Sequence, residues 1–106
     1  MPEIPELIAA AAAIEGGTAA DVLGWDRRRC ASRSRHAAMW LAFKITPQSL
    51  PELGRAFGRH HTTVLYGIRA YERRRAVDDA ARTRSDDLVL RMLQADVAAA
   101  QAGRPS

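Results

Sequence analysis

A chain of 106 residues suits one domain with a modest core, and an ordinary apolar content of 47% excludes a fully disordered protein. The net charge of +4 hides a sharp division: residues 1–26 carry five acids and no base, residues 27–75 twelve bases against two acids, and residues 76–106 four bases against five acids. Eleven of the twelve central bases are arginine, whose planar fork matches phosphate and guanine better than lysine does, so charge alone fits a nucleic-acid surface and a solvated helix face about equally.

Alanine favours helix, and the valines and isoleucines are scattered without alternation, so the expected fold is an all-α bundle of about six helices. A first helix runs from near Pro5 to Glu15, with Ile4, Leu7, Ile8 and Ile14 as its apolar stripe and Gly16-Gly17 ending it. Thr18 caps a short second helix, "AADVL", that ends at Gly24. The stretch "WDRRRCASRS", residues 25–34, shows no helical period and reads as a basic loop. A third helix begins after Ser34 and buries Ala38, Leu41, Ala42 and Ile45, and Thr46-Pro47 stops it. "SLPE", residues 49–52, is a capping box with proline in the first turn. It opens a fourth helix that Gly58 closes in the left-handed conformation.

The fifth helix starts near His60 or His61 and runs to about Arg75, with Val64, Ile68 and Tyr71 on its inner face. Gly67 in its middle marks a close-packing site. A last helix over 78–101 carries Leu88, Leu90, Leu93 and Val97, with Asp78-Asp79 and Asp86-Asp87 favouring its N-terminus. The expected organisation is a single domain over 1–106: an N-terminal helix in 1–17, a core in 18–75, a C-terminal helix in 76–101 and a frayed tail in 102–106. Trp25 and Trp40 are expected in the core or half-buried.

A short helix, a tight turn and a longer helix with a polar N-terminus have helix-turn-helix geometry. The leading residues of the second helix, His60, His61, Thr62 and Thr63, then stand where base edges are read. Adjacent histidines on a helix diverge by about 100°, a poor chelating pair, and Cys30 and His36 complete no zinc pattern. No metal or other cofactor is expected, and no nucleophile, base and orienting group recur at a telling spacing, so no enzyme is expected. Single Cys30 excludes an internal disulfide. No apolar run is long enough for a membrane, and "LIAAAAAI" lacks the basic start of a signal peptide, so the default compartment is the cytoplasm.

The string "SLPELGRAFGRHHTTVLYGIR" resembles the DNA-binding C-terminal domain of the bacterial replication initiator DnaA, whose signature has the form "SLPEIG-FG-RDHTTV". The preceding "DVLGWDRRRCASRSRHAAMWLAFKIT" is similar to that family's basic loop and following helix, and the similarity covers residues 18 to 75. The resemblance implies a Trp repressor-like helix-turn-helix that binds double-stranded DNA at boxes of the TTATNCACA type. It implies base contacts in the major groove by Arg59, His60, His61, Thr62 and Thr63, and a minor-groove contact by Arg27. It also implies phosphate and backbone contacts by Arg35, His36, Leu50 and Pro51, and Arg69 joins the phosphate set from the flank of the fifth helix. These roles are physically sensible: a threonine methyl complements that of thymine, and a narrow A·T-rich groove attracts arginine.

Four departures stand out. His60 replaces the family's aspartate, one turn residue is missing between Gly58 and Arg59, Ser34 replaces a common proline, and Phe43 falls where a charge is usual. The only lysine is Lys44, in "FKIT", so no GxxxxGK[ST] phosphate loop is present. The expectation is a DNA-binding domain standing alone, without ATPase activity, acting near the nucleoid on replication initiation or on genes beside such boxes. The full-length initiator or other replication proteins are further expected partners, with no membrane and no small-molecule substrate. Two other readings remain at this point: a regulator of an unrelated operator, and an interaction adapter that has lost DNA binding.

Overall fold

A computed structural model describes residues 3–25 and 27–102. Six helices and no strand form among the described residues: α1 (Ile4–Ile14), α2 (Ala19–Leu23), α3 (Arg29–Ile45), α4 (Leu50–Phe57), α5 (His61–Val77) and α6 (Asp79–Ala102). The all-α fold expected from composition is the fold found. Asp26 and the tail beyond Ala102 lie outside the described residues.

Local chemistry sets most helix ends. The Thr18 hydroxyl accepts from the Asp21 N–H, and the Asp21 carboxylate accepts from the Thr18 N–H in return. Ser49 and Glu52 make the same reciprocal box at the start of α4. That box holds the Glu52 carboxyl below its usual range, chiefly through the Ser49 N–H and then its hydroxyl. Gly58 closes α4 at φ 66°, a left-handed position where a side chain would be strained. Asp78 ends α5 and starts α6, accepting from the Ala81 N–H at 3.1 Å. Asp86, assigned from sequence to that helix start, instead sits further along α6 and pairs with Arg75 at 2.8 Å.

The start of the third helix differs from expectation. Residues 29–34 are helical, so the basic loop shrinks to the few residues before Arg29. Ala31 and Ser34 are buried with Ala38, and this i, i+3, i+7 face is built of small groups. A Cβ on Gly17 would stand 2.2 Å from Ser34 Oγ, which shows how tightly α3 meets the α1–α2 turn. Small residues permit that approach and conceal the period from an apolar count.

The core lies between α1, α3, α4 and α5, around Leu7, Leu41, Leu53, Phe57, Val64 and Tyr71. Trp40 joins it, 5% exposed, whereas Trp25 is 78% exposed on the loop after α2, so only one tryptophan fulfils the core expectation. Of the apolar set on α6 only Leu88 is buried, and Leu90, Leu93 and Val97 face outward. The 24-residue helix is about 36 Å long and overruns the body that covers its first turns.

One polar cluster joins the two ends of the chain. The Glu15 side chain is 2% exposed and meets Arg74 at 3.3 Å and Arg84 at 3.2 Å. The Tyr71 hydroxyl donates to it at 2.8 Å. Burial, then that carboxylate, pushes the Tyr71 phenol far above its ordinary range. Glu15→Ala should cost about 3 kcal/mol in urea unfolding, because it removes the buried carboxylate that Arg74, Arg84 and the Tyr71 hydroxyl share. A loss under about 0.5 kcal/mol would show the cluster to be as weak as an exposed ion pair.

Candidate nucleic-acid interface

The α4–α5 pair is built as a tight corner. The Gly58 and Arg59 N–H groups return to the Arg55 and Gly54 carbonyls at 3.3 and 2.8 Å. The chain then crosses so close to α4 that a Cβ on Gly54 would stand 2.7 Å from the Arg59 carbonyl. His60 caps α5, with Nδ1 accepting from the Thr62 N–H at 3.2 Å and lying 2.7 Å from the Thr62 hydroxyl. Histidine here performs the task of a capping carboxylate or hydroxyl. An Nδ1 that accepts leaves the ring proton on Nε2, which is free to donate. The His61 ring lies over that of His60, centroids 4.2 Å apart.

α5 lies directly against α3. A Cβ on Gly67 would be 2.6 Å from Met39 Sδ and 3.1 Å from His36 Cδ2, so the close-packing role read from sequence is found. The half-buried His36 ring meets the exposed Tyr66 edge-on, centroids 5.9 Å apart.

An open cleft of about 940 Å³ results between the loop after α2, the middle of α3 and the first turns of α5. Arg27, Arg35, His36, Pro51, Arg59, His60, His61 and Thr63 all line it. Thr62, Leu50 and Arg69 do not; Thr62 and Arg69 are exposed and Leu50 is half-buried. Trp25, Arg55 and Tyr66 line it as well and were not among the expected site residues. Helical spacing from Thr62 and Thr63 carried the signal for Tyr66. Arg55 and Trp25 had none, because they reach the cleft from α4 and from the loop after α2, and only packing brings those elements beside α5.

Two of the expected contact residues are held by the protein itself. Arg35 lies well inside α3 and donates to the Val22, Asp21 and Gly24 carbonyls at 3.0, 2.9 and 3.0 Å. Arg59 donates to the Phe57 carbonyl at 3.2 Å and to the Gly24 carbonyl. Arg74 and Arg75, kept out of the site, are engaged with Glu15, Asp78 and Asp86. No group of three His, Cys, Asp or Glu among the described residues could hold a metal ion. No described helix is long and apolar enough to cross a membrane.

Residues 4–70 match the family described as the bacterial dnaA protein helix-turn-helix. The chain belongs to that family. The match starts at α1 and so extends further toward the N-terminus than the resemblance read from sequence. Among curated relatives, the chromosomal replication initiator protein DnaA of Caulobacter vibrioides is 53% identical over 62 residues, 58% of this chain and 13% of the relative. The protein of that name from Cereibacter sphaeroides is 47% identical over 78 residues, 71% of this chain and 16% of the relative. That from Ruegeria is 46% identical over 59 residues, 55% of this chain and 13% of the relative. The chain thus spans about a sixth or less of the length of these relatives.

Burial first, then the charges of Arg35 and Arg73, hold the His36 imidazole below its ordinary value of 6.5. As pH falls through that value the unfolded chain takes up a proton that the folded ring still refuses. The stability contribution is therefore full above pH 6.5 and is lost as pH drops toward the lower folded value. Thermal melts between about pH 7.5 and 5.5 should show this loss, and His36→Gln should shallow it. An equal slope in the variant would assign the loss to other groups.

Proposed function

We propose that this domain binds double-stranded DNA sequence-specifically, at sites resembling DnaA boxes, and regulates replication initiation or genes near such boxes. The observation that carries the reading is the shared cleft: the polar start of α5 and the loop bearing Arg27 open on one concave face. In this reading α5 enters the major groove, with His60, His61, Thr62 and Thr63 at base edges. Arg27 reaches the adjacent minor groove. His36 and Arg69 meet phosphates, Leu50 and Pro51 lie against the backbone, and Arg35 adds its charge to the field there. The relatives' shared name, chromosomal replication initiator protein, supports a place in replication control, in the cytoplasm at the nucleoid. Partners beyond DNA would be the initiator or other replication proteins. With one lysine and no phosphate loop, these residues supply no ATPase activity.

The shortened turn and the capping role of His60 favour a second version of the same activity, in which the preferred site has drifted from the box sequence. An aspartate accepts from a cytosine amino group, while His60 uses Nδ1 on Thr62 and presents Nε2–H as a donor. Fluorescence anisotropy on a box duplex and a scrambled duplex, at two salt concentrations, separates the versions. Preference for the box at the higher salt supports box binding. Equal, steeply salt-dependent binding supports a drifted site. Absence of binding to either would refute DNA recognition.

Thr63→Ala should weaken binding to the preferred site by ~1–3 kcal/mol and leave random DNA nearly unchanged. Equal losses on both would remove Thr63 from base reading. Arg69→Ala should weaken all duplexes alike and lower the salt slope by about 1. An unchanged slope would end its phosphate role.

A further inference from the structure

Gly24 ends α2 and opens the loop that carries Arg27. Its carbonyl oxygen accepts from two arginines of different elements, Arg35 of α3 and Arg59 of the turn before α5. A helix C-terminus carries unpaired carbonyls and partial negative charge, so it holds such cations well. Arg59 also donates through Nη1 to the Phe57 carbonyl, and its guanidinium lies 4.0 Å from the centre of the Trp25 ring. That contact lies on one face of an indole that otherwise stays largely exposed. The turn places Arg59 directly after the left-handed Gly58, with its own N–H held by the Gly54 carbonyl at 2.8 Å. Its side chain therefore leaves from a rigid root.

We infer that Arg59 and Trp25 form a clasp that fixes the Arg27 loop relative to α5, and that Arg59 is a positioning residue and not a reader of bases. The inference rests on the DNA-binding reading above. An arginine that reads guanine presents its fork to O6 and N7; each Nη of Arg59 already donates one N–H to a carbonyl and the guanidinium plane lies against an indole, so turning the fork to a base edge would break all three contacts. The clasp sets the separation between the minor-groove contact and the major-groove helix. That separation becomes a specificity determinant: a site whose narrow A·T step lies at another distance is rejected although every base edge is correct.

The test uses the full chain and four variants: Trp25→Ala, Arg59→Ala, Arg59→Lys and the double alanine variant. Two measurements are made, binding to the preferred duplex and its single-base variants, and the rate of tryptic cleavage after Arg27 and Arg28 in the free protein. Each single alanine change should weaken binding about tenfold, and the double variant little further, because both remove one coupled contact. The order of preference among single-base variants at the major-groove positions should stay as in the parent, while discrimination at the A·T step facing Arg27 weakens. Arg59→Lys should fall with Arg59→Ala, since an ammonium keeps the charge and loses the fork, whereas a phosphate contact would be largely restored by lysine. Loop cleavage should become several-fold faster in all four variants.

Two results would overturn the clasp. One is loss of preference at a single base position in Arg59→Ala while Trp25→Ala binds as the parent does. The other is loop cleavage that no variant changes. If the parent binds no duplex, the DNA reading fails by itself, and the cleavage rates still decide: faster cleavage supports the clasp, unchanged cleavage removes it.

Discussion

The arrangement depends first on how closely α5 can approach α3. Gly67 has no side chain, and the space a Cβ would take is filled by Met39 and His36. A glycine in a helix interior costs about 1 kcal/mol against alanine, and the buried α3–α5 contact offsets it. Because the two helices touch there, the N-terminal turns of α5 come level with the middle of α3, where Arg35 and His36 stand. A wider crossing would leave those residues and the α5 turn on separate surfaces, without a common cleft.

Charge is distributed so that this cleft stays basic. Much of the arginine at the far end of α5 is neutralised from within: Arg74 by Glu15 and Asp78, Arg75 by Asp86. Arg75 also lies over the Trp40 ring at 4.4 Å. Glu15 comes from the acidic N-terminal segment, so α1 closes one side of the core and also supplies the counter-charge that joins α5 to α6. Arg27 lines the cleft, and Arg69 and Arg73 are exposed along α5. The asymmetry visible in the linear charge count thus becomes, once folded, a difference between a paired end and a solvent-facing end.

Legibility followed the range of the interaction. Capping at Thr18 and Ser49, the left-handed Gly58 and the inner face of α5 at Val64, Ile68 and Tyr71 are decided within a few residues, and each was readable. The start of α3 was not, because its buried face is Ala31 and Ser34, and small residues carry no hydrophobic period. The outward face of α6 was not, because Leu90, Leu93 and Val97 repeat as a core helix would, while the helix turns Leu88 and, in part, Val89 and Met92 to the core instead.

For the candidate site the same division holds. By itself the sequence determined an all-helical chain, a helix-turn-helix with its polar residues at the start of the second helix, a basic central block, and membership of a family through the "SLPE" and "HTTV" strings. Those are consequences of short-range sterics, capping chemistry and composition. Only the tertiary structure decided which arginines face solvent and which are spent on the protein's own carbonyls. It alone brought Trp25 beneath Arg59, Arg35 to the end of α2 and Tyr66 beside His36. These pairs are 11 to 34 residues apart in the chain, and a guanidinium finds its acceptor only after packing has placed the carbonyls of another helix within its reach.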